Sequence, residues 1–191
     1  METTQLTREY EGSTIPVAGT YVFDAAHTHV GFVVRHMMVA KVRGSFAPPA
    51  GTFTIAEDPT QSSVDVEIDW STVTTGEPNR DNHLRSPDFF DVEKFPTIRY
   101  HSTGVRHVKG DDWLLDGELT VQQVTLPVPL ELEVNGVGRD PYGNVKVGFS
   151  ATTKINRDDF GLNYNAALET GGFMVGKEVT IEIDVEAALQ S

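Results

Sequence analysis

The chain has 191 residues, 15 of them Lys or Arg and 28 Asp or Glu, for a formal net charge of −13, and it contains no cysteine. That length suits one domain with a full hydrophobic core, which folds without disulfides or a structural metal. The charge argues against nucleic-acid partners, and against docking on an anionic membrane unless a local basic patch intervenes; the missing thiols exclude cysteine catalysis and cysteine zinc sites.

Residues 1–17 are polar and lack the apolar stretch of a secretory signal, so they read as a mobile or loosely docked segment ahead of a single domain over 18–191. A short strand is expected near Tyr21–Phe23. HVGFVVRHM then alternates, with Val30, Phe32 and Val34 on one face. The apolar run VGFVVRHMMVA is broken by Arg35 and His36 and is too short to span a bilayer. The chain therefore reads as soluble and cytoplasmic, without stable membrane insertion. A bent strand is expected over Lys41–Ile55, where APPAG switches the apolar parity as a bulge would. SVDVEIDW alternates again, with Val64, Val66, Ile68 and Trp70 opposing three carboxylates.

The stretch RDNHLRSPDFFDVEKFP, residues 80–96, does not alternate, and a short helix is expected within Asn79–Ser86. Four consecutive strands of similar length follow near 97–109, 112–122, 125–137 and 144–156. Their inner faces hold Ile98 and Tyr100; Trp113, Leu115, Leu119 and Val121; Val128, Leu130, Leu132 and Val134; and Val145, Val147, Phe149 and Ile155. Turns are expected at KGDD, Gln123–Thr125 and NGVGRDPYGN, with a second short helix near Arg157–Phe160. VTIEIDVEA supplies the last strand, with Val179, Ile181, Ile183 and Val185 on one face. About eight strands in meander order predict an all-β, single-domain, extended antiparallel β-barrel with one or two short helices. A barrel of that size has room for side chains or for one small ligand.

Few motifs point to chemistry. GGFMVGKE, residues 171–178, nearly matches a phosphate-binding loop, but Glu178 stands where a hydroxyl should ligate magnesium and a strand pattern follows instead of a helix. His27 and His29 have the spacing to share one face of a strand and hold a metal, yet they fall opposite the apolar parity. Asp81, His83 and Ser86 lie close in sequence, but a triad is recognised by geometry, and a structural role for them is favoured.

The segments DAAHTHVGFVVRHMMVAKVRGSF, RDNHLRSPDFFDVEKFPTIRYHS, DGELTVQQVTLPVPLELEV, INRDDFGLNYN and GKEVTIEIDVEA, in this order and spacing, resemble the YceI-like family of polyisoprenoid-binding proteins over about residues 18–188. The resemblance implies a lipocalin-like barrel whose long interior pocket takes a polyisoprenoid, an isoprenoid quinone or a fatty amphiphile. It also implies homodimers and no established catalytic set. One departure is visible: LTVQQVT carries Gln123 where the family has glycine, a residue that would ease a positive φ in the hairpin.

The expectation is thus a non-enzymatic binder or carrier of a long-chain lipid, with no further cofactor, no metal and no nucleic-acid partner. The expected walls are Phe32, Val34, Phe46, Trp70, Tyr100, Phe149 and Ile155, joined by Phe89, Phe90 and Phe160. One rival is an enzyme using the same pocket through Asp81, His83 or His101. The other is a structural protein with a filled barrel.

Overall fold

The computed structural model describes residues 5–190. Its strands in chain order are β1 (Thr7–Tyr10), β2 (Ser13–Pro16), β3 (Gly19–Phe23), β4 (His29–His36), β5 (Ala40–Phe46), β6 (Thr52–Ile55) and β7 (Ser63–Asp69). After the helix α1 (Pro78–Arg85) come β8 (Thr97–Lys109), β9 (Asp112–Val121), β10 (Val124–Pro127), β11 (Leu130–Arg139), β12 (Val145–Asn156) and β13 (Val175–Leu189). Eight strands close an antiparallel barrel in the order β3-β6-β7-β8-β9-β11-β12-β13, and β13 returns to β3. The hairpin β4–β5 continues the sheet from the first half of β13. Closure leaves few edges, which suits a chain whose strands alternate apolar and polar residues.

Proline breaks two elements that the alternation pattern reads as continuous. The Lys41–Ile55 stretch is two strands, because Pro48 and Pro49 have no N–H to donate to a ladder. The 125–137 stretch likewise splits at Val128–Pro129 into β10 and β11, both paired to β9. β11 then runs through a bulge at Asn135 to Arg139, so the turn expected from NGVGR begins only at Asp140. In the β9–β10 hairpin the residue with positive φ is Gln122 (54°), one position before Gln123.

The N-terminal segment also differs from expectation. From Thr7 it forms the hairpin β1–β2, which lies against one end of the barrel. Ile15 is 3% exposed and packs with Val105, Trp113 and Val134, and Ser13 Oγ lies 2.9 Å from His107 Nε2. The Arg8 guanidinium donates to the carbonyls of Ala56 and Glu57. One buried isoleucine and a few polar anchors suffice to dock a segment too polar to show the pattern of a core element.

The opposite end is closed by the excursion between β7 and β8. Here α1 starts at Pro78, with the Glu77 carboxylate accepting from the N–H groups of Asn79 and Arg80. Asp81 is buried and accepts from the N–H (2.8 Å) and hydroxyl (2.5 Å) of Thr75. Arg80 returns to Thr75, while Arg85 donates to the carbonyls of Ser71 and Val73. These bonds hold a loop of irregular backbone as a plug.

Candidate functional site: an apolar cavity inside the barrel

Between the β1–β2 end and the α1 end lies a cavity of about 240 Å³. Its walls come from the inner faces of the barrel strands: Phe53 of β6, Val64 and Val66 of β7, Tyr100 of β8, Leu115 of β9, Leu132 of β11, Phe149 of β12, and Ile181 and Ile183 of β13. Period two explains the set, since alternate residues of each strand face inward. The polar groups at its border are sparse. Thr54, Ser62 and Ser63 lie at the seam between β6 and β7, where only two residue pairs join the strands, while Thr28 is bound to the Glu186 backbone of β13. Ser102 covers part of the deficit there: its hydroxyl accepts from the Val64 N–H at 2.9 Å.

Among the described residues that border the cavity, two carry titratable side chains, Arg99 and Tyr100. The Arg99 guanidinium points away and binds Asp65 with both ends, at 2.9 and 2.6 Å. Together with His101, this holds the Asp65 carboxyl down at about 2. The Tyr100 hydroxyl is directed at the carbonyls of Leu115 (3.1 Å) and Val128 (3.0 Å), and burial raises its pKa. Trp113 borders the cavity as well. Its indole N–H is buried and has no acceptor among the described residues.

Of the wall residues expected from the sequence, Tyr100 and Phe149 border this cavity. Phe32, Phe46, Trp70, Phe89, Phe90, Ile155 and Phe160 instead form or pack on the cluster that closes the α1 end. The Trp70 and Phe90 rings meet edge to face at 3.9 Å, and Phe46 lies 5.5 Å from Phe32 and 6.0 Å from Phe90. Val34 does not border the cavity; it pairs with Val42 and Val179 in the β5–β4–β13 sheet. The strands are longer than the cavity, so inward parity assigns a face but not a level along the barrel axis. Phe53, Val66, Leu132, Ile181 and Ile183 were absent from the expected wall. Alternation marks all but Phe53, which follows the parity switch at the prolines.

The groups on which an enzyme reading would depend lie elsewhere. Asp81 is spent on Thr75, His83 Nε2 faces Asp88 at 2.8 Å, and His101 Nδ1 faces Asp65 at 3.1 Å on the outside of the barrel. His27 joins Asp24 and Glu186, not His29. Lys146 Nζ sits 2.7 Å from Asp24 and 3.2 Å from Glu186, so an ammonium occupies the place a cation would take. That ammonium, aided by His27, holds the Asp24 carboxyl well below the usual carboxylate range. In GGFMVGKE the last residues enter β13, and Lys177 pairs with Asp158 at 2.7 Å.

One charged side chain that the sequence reading passed over is central to the architecture. Arg157, in a 3₁₀ turn over Arg157–Phe160, is 4% exposed. Its guanidinium donates to the carbonyls of Leu162, Tyr164 (2.9 Å), Val175 (3.2 Å) and Gly176 (2.8 Å). Two of these carbonyls belong to the irregular start of β13, where the ladder to β4 skips residues. Its planar fork satisfies groups that the bulge leaves without partners.

Comparison with known proteins agrees with this architecture. The model of the YceI-like domain matches residues 21–187. The chain belongs to the YceI-like family. A UPF0312 protein of Staphylococcus aureus strain N315 is 35% identical over 175 residues, covering 88% of this chain and 97% of that protein. Among solved structures, Burkholderia cenocepacia BcnA superposes with a TM-score of 0.75 at 20% identity, over 86% of this chain and 98% of that one. A polyisoprenoid binding domain from Saccharophagus degradans superposes with a TM-score of 0.63 at 15% identity, over 91% and 100%. At such identities the two structures speak for the fold alone. The YceI-like barrel expected from the sequence is the fold observed, and no described helix is long and apolar enough to cross a membrane.

Proposed function

We propose that this YceI-like protein is a non-enzymatic carrier or store for an amphiphile with a long apolar tail, an isoprenoid lipid or isoprenoid quinone foremost. The observation that carries the reading is the apolar cavity within the barrel, which a structural protein with a filled barrel would lack. Burial gains about 0.8 kcal/mol per methylene, so roughly ten methylenes supply about 8 kcal/mol before the ordering costs of association are subtracted. Walls without directional partners favour tail length over headgroup identity. The unpartnered Trp113 N–H suits an oxygen on the cargo. The polyisoprenoid binding named for the Saccharophagus degradans domain supports the same class. In this reading the protein works in the cytoplasm as a homodimer, which cell fractionation and light scattering test.

The deciding experiment is native mass spectrometry of freshly purified protein, followed by solvent extraction of whatever is released. A stoichiometric long-chain isoprenoid or fatty amphiphile supports the proposal and names the cargo class. A bare mass that stays unchanged with polyprenols, quinones and fatty acids sinks it.

A further inference from the structure

The tip of the β4–β5 hairpin breaks two local rules at once. His36 to Val39 form a turn closed by the Val39 N–H on the His36 carbonyl at 3.1 Å. Its central residues, Met37 and Met38, both adopt positive φ, 51° and 63°. Asn-Gly is the sequence that such a turn favours, since methionine there is strained. These residues are also apolar and in the open: Met37, Met38 and Val39 are 45%, 67% and 80% exposed. The loop that precedes β13 adds to them. The Met37 N–H donates to the Met174 carbonyl at 2.7 Å, Met38 lies over Gly172, and Phe173 beside them is 50% exposed.

The charge of the hairpin itself is opposite to that of the chain, with Glu169 of the adjoining loop the exposed acid nearest in sequence to Gly172. Residues 25–56 contain no Asp or Glu, although the molecule as a whole carries −13. Arg35, Lys41 and Arg43 are exposed on β4 and β5, share one face of the hairpin by register, and make no ion pair among the described residues. Glu178 of the adjoining strand is engaged by Lys154 on its other side, at 3.3 Å. Cations on an edge strand have a defensive use against edge-to-edge pairing, which accounts for Lys41 and Arg43. It does not account for two strained methionines, a valine and a phenylalanine held in water.

We propose that this pole is a docking site for the surface of an anionic lipid bilayer. Met37, Met38, Val39 and Phe173 enter the interfacial layer, and Arg35, Lys41 and Arg43 lie against the headgroups. The combination of apolar side chains and a basic rim is what peripheral attachment requires, and it falls far short of a membrane span. It supplies the local basic patch without which the net charge would hold the molecule away. The inference does not rest on what occupies the cavity.

The test is flotation with vesicles of phosphatidylcholine and phosphatidylglycerol, with pure phosphatidylcholine vesicles as reference. The wild type should float with the anionic vesicles and not with the neutral ones. Arg35→Gln, Lys41→Gln and Arg43→Gln together should lower partitioning roughly a hundredfold, the factor for three basic residues near such a surface. Met37→Asn with Met38→Gly installs the preferred turn, so it should raise the unfolding midpoint while lowering partitioning at least about tenfold. Wild-type protein that fails to float would overturn the proposal, as would a turn variant that floats equally well. A tip that instead joins two copies, seen as a dimer that the turn variant dissociates while neither protein floats, would also overturn it. Cargo retention by the same variants, read by mass spectrometry, separates these outcomes from failure of the carrier reading.

Discussion

Replacing Gly117 by alanine tests how the cavity wall is built. Tyr100 lies across Gly117 on the neighbouring strand, and an added Cβ would sit 2.4 Å from the tyrosine Cζ and hydroxyl oxygen and 2.8 Å from the His101 carbonyl. None of these contacts is tolerable, and the backbone carbonyl cannot retreat far, so the tyrosine ring must swing away. It then leaves the carbonyls of Leu115 and Val128. Forced repacking costs about 1–3 kcal/mol and the lost hydrogen bond about 1 kcal/mol, so the expected total is about 3 kcal/mol. With a urea m-value of roughly 2 kcal/mol/M, the midpoint of the cargo-free protein should fall by about 1.5 M at unchanged m. Because Tyr100 borders the cavity, the displaced ring should also narrow it and weaken cargo retention. Gly104, on the same strand as Tyr100, is the matched control: nothing lies within 4 Å of its Cβ position and its φ is not left-handed. Gly104→Ala should change stability by no more than about 0.5 kcal/mol. The reasoning fails if Gly117→Ala is as mild as Gly104→Ala.

Three further outcomes follow from the site and its supports. Arg157→Met should destabilise by about 3 kcal/mol in urea, and Arg157→Lys should recover little of it, because an ammonium cannot span four dispersed carbonyls. Trp113→Phe keeps an aromatic side chain but removes the pyrrole portion with its unpartnered N–H; competition binding should show a larger loss of retention for an oxygenated isoprenoid than for the matching hydrocarbon, and equal loss for both would refute a polar role. The Gly110 carbonyl and then Glu11 raise the pKa of His107. A raised folded-state pKa means that stabilisation is complete below the ordinary value of 6.5 and is lost as pH rises through the His107 value. Amide exchange in Thr7–Pro16 should therefore quicken, relative to the barrel, across that window, and His107→Gln should abolish the step.

The fold was legible because alternation is a backbone property: strands with Val64, Val66 and Ile68, or with Ile181, Ile183 and Val185, have one solution once a core exists. The strand breaks were less so. Pro48 and Pro129 end ladders that the side-chain pattern would continue. The hairpin at Thr7–Pro16 was hidden because Ile15 gains its burial from Val105, Trp113 and Val134, residues about a hundred positions away. The site was half legible. Parity found the inward faces, and so found Tyr100 and Phe149. It favoured large aromatics, however, and those fill the α1 end. Which level of a barrel stays empty depends on strand tilt and on what the connecting segments push inside, as Phe89 and Phe90 show. Arg157 escaped notice because its partners are carbonyls, which carry no side-chain signature.

β13 is the last of the described strands to be synthesised, and it pairs with β12, β3 and β4. β3 and β4 find one partner nearby, in β6 and β5, but their other partner is encoded more than a hundred residues later, a long loop to close that slows folding. Without β13 the strand that joins β12 to β3 is missing, and the apolar lining is open on that side. The chamber comes into being only when Ile181, Ile183 and Val185 arrive. A chain cut short before β13 would therefore have an apolar half-barrel and no cavity.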